Sequence, residues 1–310
     1  MKLVAAIALA SGALSVGCGD NDGKEVRDFS AAFEARVGTT PVTCDSAISG
    51  LGPAGLHSIG ASDLRFYVSN IVLHDHDGTE LPLDLTPNEF QYTSEVGSVA
   101  LIDLTSNTSG TCAGTAIAFA EGTARTNDTI TGRVLDGDYH GISFDVGVPQ
   151  AVMKDVIANQ SVEGAPSPLG EMSWGWAGGY RHLVFNFTVT APDGAGEGYL
   201  HIGSRDCGGE GQNALEELAE CGRVYTPKSD LDFEEGSAIV FDIAPLLASL
   251  DFVSPIYDPE TFEQIGEGPG IECHSVPEGQ PDCPAILESL GLDVTSGAAD
   301  ATANAAFKTE

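Results

Sequence analysis

Along most of the chain the hydrophobic positions recur every second residue, and this period of two predicts strands. Phe29, Ala31, Phe33, Ala35 and Val37 alternate with polar or small neighbours. Leu64, Phe66 and Val68 do the same until the phase changes at Ile71 and Leu73, which predicts a bulge within residues 63–73. The series continues through residues 99–104, 130–135, 139–148, 181–191, 198–203 and 237–243, separated by Gly, Asp and Asn turns. Helical spacing is confined to three short stretches, 151–158, 214–221 and 284–290, each read as a loop decoration. With no alternating βαβ units, the pattern predicts an all-β fold: an antiparallel β-sandwich with long loops. No repeat or linker divides residues 30–297, which are expected to form one β domain. Residues 298–310, rich in Ala, Asp and Thr, read as a loose C-terminal tail attached through Phe307.

The N-terminal segment breaks the pattern. Lys2, an apolar run over residues 3–14 and then Ser15-Val16-Gly17-Cys18 read as a signal peptide (1–18) with a lipoprotein-type cleavage site and a lipid on Cys18. Ser15 stands where such a site usually carries Leu, so plain secretion with Cys18 unmodified is the alternative. The run is shorter than the roughly 20 apolar residues that span a bilayer. Residues 19–29, opening with the turn-rich stretch 19–23, read as a tether. The expected location is therefore outside the cytoplasm, in the periplasm or on the outer membrane or cell surface, with the lipid as the sole membrane attachment.

Export changes the meaning of the cysteines. Beyond Cys18 there are Cys44, Cys112, Cys207, Cys221, Cys273 and Cys283, an even set that argues for three disulfides although 15 pairings are possible. Local spacing favours Cys207 with Cys221 and Cys273 with Cys283, leaving Cys44 with Cys112. No Cys-x-x-Cys offers thiol redox chemistry, and no Cys-x-x-Cys-His attaches haem. Asp and Glu number 46 against 13 Lys and Arg, a formal net charge of −33, which argues against nucleic acid or an anionic membrane face as partner.

Candidate chemistry gathers at Met172-Ser173-Trp174-Gly175-Trp176, which holds both tryptophans, followed by Gly179-Tyr180. Packing in a core is the plain reading of such a pair. Exposed on a surface, the two indoles would instead stack on sugar rings, making the chain a carbohydrate-binding module; a metal-free structural lipoprotein is the remaining alternative. His201 lies at a strand end just before Cys207, and His182 lies two residues beyond Tyr180 where its strand can approach the tryptophans. His140 shares parity with Ile142 and Phe144 and is expected to be buried; His74 and His76 flank Asp75 in a turn; His57 and His274 fall in loops. No nucleophile elbow, His-Glu-x-x-His or phosphate-binding glycine loop is present, so the chain is not read as an enzyme.

Several stretches resemble, in order, the landmarks of one family. They are residues 63–71 (DLRFYVSNI), 99–104 (VALIDL), Gly147-Val148-Pro149, Pro168-Leu169, the Trp174-Gly175-Trp176 motif, and His201-Ile202-Gly203-Ser204 with Cys207. Cys273-His274-Ser275, Asp282-Cys283-Pro284 and Leu290-Gly291-Leu292 complete the series. The chain resembles the MbnP-like family, the methanobactin-operon periplasmic copper proteins also called metallo-mystery-pair four-Cys-motif proteins, over roughly residues 30–295.

That resemblance implies an exported β protein that binds one Cu(I) and whose first Trp of the motif is oxidised to kynurenine by a partner dihaem enzyme similar to cytochrome c peroxidase and MauG. Carried over, Trp174 is the modified residue and a metal ligand, and Trp176 its unmodified neighbour. His201 is the expected imidazole ligand, nitrogen donors being suited to copper. Family members often read Asn-His shortly after Gly-Val-Pro; the corresponding stretch is Val152-Met153-Lys154, so an imidazole is missing there and His182 is the expected substitute.

Overall fold

The computed structural model describes residues 25–44, 47–105, 112, 125–159, 165–175, 179–207, 220–258, 261 and 263–310. The signal peptide, Cys18, most of the tether, Trp176 and nearly all of the helical stretch 214–221 lie outside the described residues.

Alternation in the first strand, Val26–Val37, puts Phe29, Ala31, Phe33 and Ala35 on one buried face. This strand begins within the stretch read as tether, its Val26 paired with Leu135. It belongs to a six-stranded sheet whose main path runs Phe307–Thr309, Ala238–Asp242, Val26–Val37, Thr129–Leu135, Asp84–Leu85, with Thr40–Pro41 paired to Val26–Val37 off this path. Opposite lies a twelve-stranded sheet whose main path runs Lys228–Asp232, Tyr139–Val146, His57–Asp75, Gly179–Ala191, Gly194–Gly203, Gln264–Cys273, Val253–Tyr257. Phenylalanines join the two. Phe33 meets Phe66 edge-on at 5.7 Å and Phe144 at 5.8 Å, while Phe307 meets the same two rings at 5.7 and 5.5 Å. Edge-to-face pairs of this kind each contribute about 0.5–1.5 kcal/mol beyond their area.

The sandwich is thus as expected, but it is not wholly antiparallel. Val26–Val37 pairs in parallel with Ala238–Asp242, and Gly194–Gly203 in parallel with Gln264–Cys273. The expected bulge in residues 63–73 is present: the pairing of His57–Asp75 with Tyr139–Val146 slips between Val72 opposite Ser143 and Ser69 opposite Asp145. Asn70 absorbs the slip at φ 50°, a conformation Asn tolerates, and donates its amide to Asp145 Oδ2 at 2.8 Å. A second slip, between Tyr139 and Gly141, breaks the parity on which His140 was expected to be buried; its ring is half-buried and stacks on His76 at 4.7 Å. The C-terminal residues are more ordered than their composition suggests. Ala299–Asn304 and Phe307–Thr309 are strands, the latter paired with Ala238–Asp242, and Phe307 is the attachment.

The far face of the large sheet is covered too, by the helix Gln150–Asn159 and the segment leading to Trp174. Val152, Met153 and Val156 from the helix pack with Tyr67, Leu101, Leu169, Met172, Tyr180 and Val184. Val152 and Met153, in the stretch where the sequence resemblance leads to the expectation of an imidazole, therefore serve packing instead. Three disulfides close loops, Cys44–Cys112, Cys207–Cys221 and Cys273–Cys283, the pairing that local spacing favoured.

Candidate metal centre

Trp174 sits in the short strand Ser173–Gly175, which folds back on Gly179–Ala191 by pairing Ser173 with Tyr180 and Gly175 with Gly179. Glycine is needed at two neighbouring positions. At Gly179 (φ 80°) a Cβ would come within 2.2 Å of Ser204 Oγ; at Gly203 it would lie 2.2 Å from the Tyr180 carbonyl oxygen and 2.9 Å from Trp174 Nε1. Gly203 therefore makes room for the half-buried indole. The indole N–H is buried there and has no hydrogen-bond acceptor among the described residues, a state that costs roughly 1–3 kcal/mol.

Two imidazoles face that indole. His201, buried on Gly194–Gly203, has its ring centroid 6.0 Å from Trp174, edge-on. His274 is the first residue after Gln264–Cys273, which runs parallel beside Gly194–Gly203 with Leu200 opposite Cys273. The next residue on each strand therefore juxtaposes His201 and His274, their centroids 4.7 Å apart, with His274 at 6.3 Å from Trp174. Tyr199 flanks both rings, at 5.9 and 6.0 Å. The Arg181 guanidinium lies over the Trp174 ring, 5.6 Å from its centroid, within cation–π range.

The loop carrying His274 is fixed from several sides. The Cys273–Cys283 disulfide anchors the preceding residue, and the His274 N–H donates to Gln280 Oε1 at 2.6 Å. Ser275, buried at φ 58°, accepts the Gly203 N–H at 2.9 Å and donates to the His201 carbonyl oxygen at 3.1 Å. Arg205 donates to the Ser275 carbonyl oxygen at 3.0 Å. One hydroxyl thus ties the His274 loop to the strand that bears His201.

Burial is the main reason the His201 pKa is pushed down to about 2, with His274 and Arg181 adding to it, so the imidazole is neutral with a lone pair to offer. A pocket of about 310 Å³ lined by Trp174, Ser204, Arg205, Asp206 and His274 opens this cluster to solvent. His274 also borders a second pocket, of about 520 Å³, shared with Tyr199, Glu197 and Ile256.

Of the residues expected from the sequence, Trp174 and His201 are brought together, and His182 is placed elsewhere. The His182 ring packs against Gly147 and donates from Nδ1 to the Tyr225 carbonyl oxygen at 3.1 Å, and burial lowers its pKa to about 4. The imidazole beside His201 is instead His274, which reads in the sequence as an ordinary loop histidine. Its position directly after a half-cystine, in the stretch Cys273-His274-Ser275, is the signal that could have found it. Among the described residues no group of three His, Cys, Asp or Glu side chains is positioned to hold a metal ion, so a metal at this cluster needs a donor of another kind.

The MbnP family profile matches residues 26–263. The chain belongs to the MbnP family. The solved structure of MbnP from Methylosinus trichosporium superposes with a TM-score of 0.63 at 22% identity, covering 92% of this chain and 98% of that one. No curated protein matches at a comparable level of significance. His274 lies beyond the span of the MbnP profile, which leaves it to be located through the fold.

Proposed function

We propose that this MbnP-family chain is an exported, non-enzymatic copper-binding protein that holds one Cu(I) between His201, His274 and Trp174 after that residue has been converted to kynurenine. The supporting observation is the approach of the two imidazoles to 4.7 Å beside an indole whose buried N–H has no acceptor among the described residues. An indole nitrogen has no available lone pair, whereas kynurenine carries an aryl amine and a ketone. The conversion opens the ring between C2 and C3, takes up three waters, and releases C2 as formic acid together with four protons and four electrons, enough to reduce two peroxides. The electrons pass to a partner dihaem oxidase of the cytochrome c peroxidase type, which hands them to peroxide. His201 and His274 would supply imidazole nitrogen donors of the kind copper prefers. In this reading the chain leaves the cytoplasm with its N-terminal signal peptide and is held at the membrane through a lipid on Cys18. A sugar-stacking role has less support, because Arg181 covers the Trp174 ring.

The test is a copper(I) competition titration of protein purified with its oxidase. His201→Ala and His274→Ala are expected to weaken binding at least 100-fold, while His182→Ala, which alters a site near Tyr225, leaves it within a few-fold of the parent. Equal loss in all three variants, or none in His274→Ala, contradicts the assignment.

A further inference from the structure

His201 has two ring nitrogens, and only the unprotonated one can take a metal. Its Nε2 lies 2.7 Å from Asn186 Oδ1, a contact between two fully or nearly buried side chains on paired strands. Asn186 has a donating and an accepting end, so the contact fixes the histidine tautomer only if the amide orientation is itself fixed. The sheet supplies a reason for it. The cross-strand neighbour of Asn186 on its other side is Asp63, a carboxylate clasped by the Arg65 guanidinium at 2.7–3.2 Å. An ionised carboxylate only accepts hydrogen bonds, so the amide NH₂ is favoured toward Asp63 and the carbonyl oxygen toward His201.

We infer that Asn186 is a positioning residue that keeps the His201 proton on Nε2, so that Nδ1 is the nitrogen His201 presents to the metal. Asp63 and Arg65, buried charges with no part in the ligand set, then have a role: they set the direction of the amide. The inference rests on the copper reading for its purpose but not for its test.

The tautomer is read in metal-free protein by long-range ¹H–¹⁵N correlation of the imidazole rings, with His201 assigned by its loss in His201→Gln. The parent protein is expected to show His201 as one neutral form protonated at Nε2. Asn186→Gln keeps both the amide acceptor and the amide donor and is expected to preserve that form. Asn186→Leu, close to isosteric and without an acceptor, is expected to give a mixture of tautomers or the Nδ1-protonated form. A parent spectrum with Nδ1 protonated, or an Asn186→Leu spectrum unchanged from the parent, overturns the inference. In copper(I) competition, Asn186→Leu is expected to lose about 10–100-fold in affinity, the usual effect of removing such a partner, and Asn186→Gln to recover most of it. If the parent binds no copper, the proposed function fails while the spectra still decide the tautomer.

Discussion

A single serine shows how the cluster is built at the residue scale. Ser275 has no metal-binding chemistry of its own, yet its hydroxyl joins the His201 strand to the His274 loop. Nothing in sequence spacing marks it, because the two histidines it aligns are far apart in the chain and meet only through a parallel strand pairing. Trp174 and His201 were legible because their neighbours, Gly175, Gly179, Gly203 and Ser204, form recognisable motifs. His182 was misleading for a physical reason: a register slip between Arg181 and Leu183 splits its course from that of Arg181. Arg181 lies over Trp174, whereas His182 reaches Tyr225.

A second residue-scale consequence concerns Asp103, the cross-strand neighbour of Arg65. Burial pushes its pKa from 3.8 up to about 7, against the pull of Arg65. Below the unfolded value both states hold the proton. Above it the unfolded chain releases the proton and the folded one keeps it, so this group's contribution to stability falls as pH rises from about 4 to about 7. Asp103→Asn removes that slope. The stability of the variant relative to the parent is expected to improve between pH 4 and pH 8 by on the order of 2–4 kcal/mol, since each tenfold difference in proton affinity between the two states is worth about 1.4 kcal/mol. Urea denaturation at the two pH values checks it; a difference that does not change with pH counts against a raised Asp103.

At the scale of elements, period-two alternation located the long strands because each buries one face or both. It passed over Gln264–Cys273 and Val253–Tyr257, where Gly, Pro and Glu interrupt the alternation and many positions stay exposed. These are the strands that bring His274 to His201, so half of the imidazole pair was hidden by the weak signal of an edge hairpin. Order at the end of that hairpin depends on Cys273–Cys283, a bond spanning 10 residues. Replacing both cysteines by serine is expected to cost about 2–3 kcal/mol, as for other short closed loops. Copper affinity should fall more than tenfold, because His274 loses its anchor while His201 keeps its strand. Denaturation and copper competition on the same sample separate the two effects; undiminished affinity would show that the disulfide has no bearing on the site.

For the whole molecule, the sandwich was readable from patterning, while its parallel pairings were not, since alternation is blind to strand direction. The ordered C-terminus escaped notice for a related reason. Phe307 alone carries the hydrophobic signal in a stretch otherwise rich in Ala, Asp and Thr, and its worth lies in contacts with Phe66, Phe144 and Phe241 from three distant strands. The chain carries a formal net charge of −33, which under the proposed function would draw an oxidase with a basic face.

All of these scales converge on the Trp174 ring, and one measurement addresses it most directly. Protein isolated from its native host is analysed intact for bound metal and, after digestion, by the mass of the peptide containing Trp174. Loss of one carbon and gain of one oxygen predict an increase of about 4 Da on that peptide, together with one copper ion per chain. An unmodified Trp174, or a modified one in protein that retains no copper, contradicts the account.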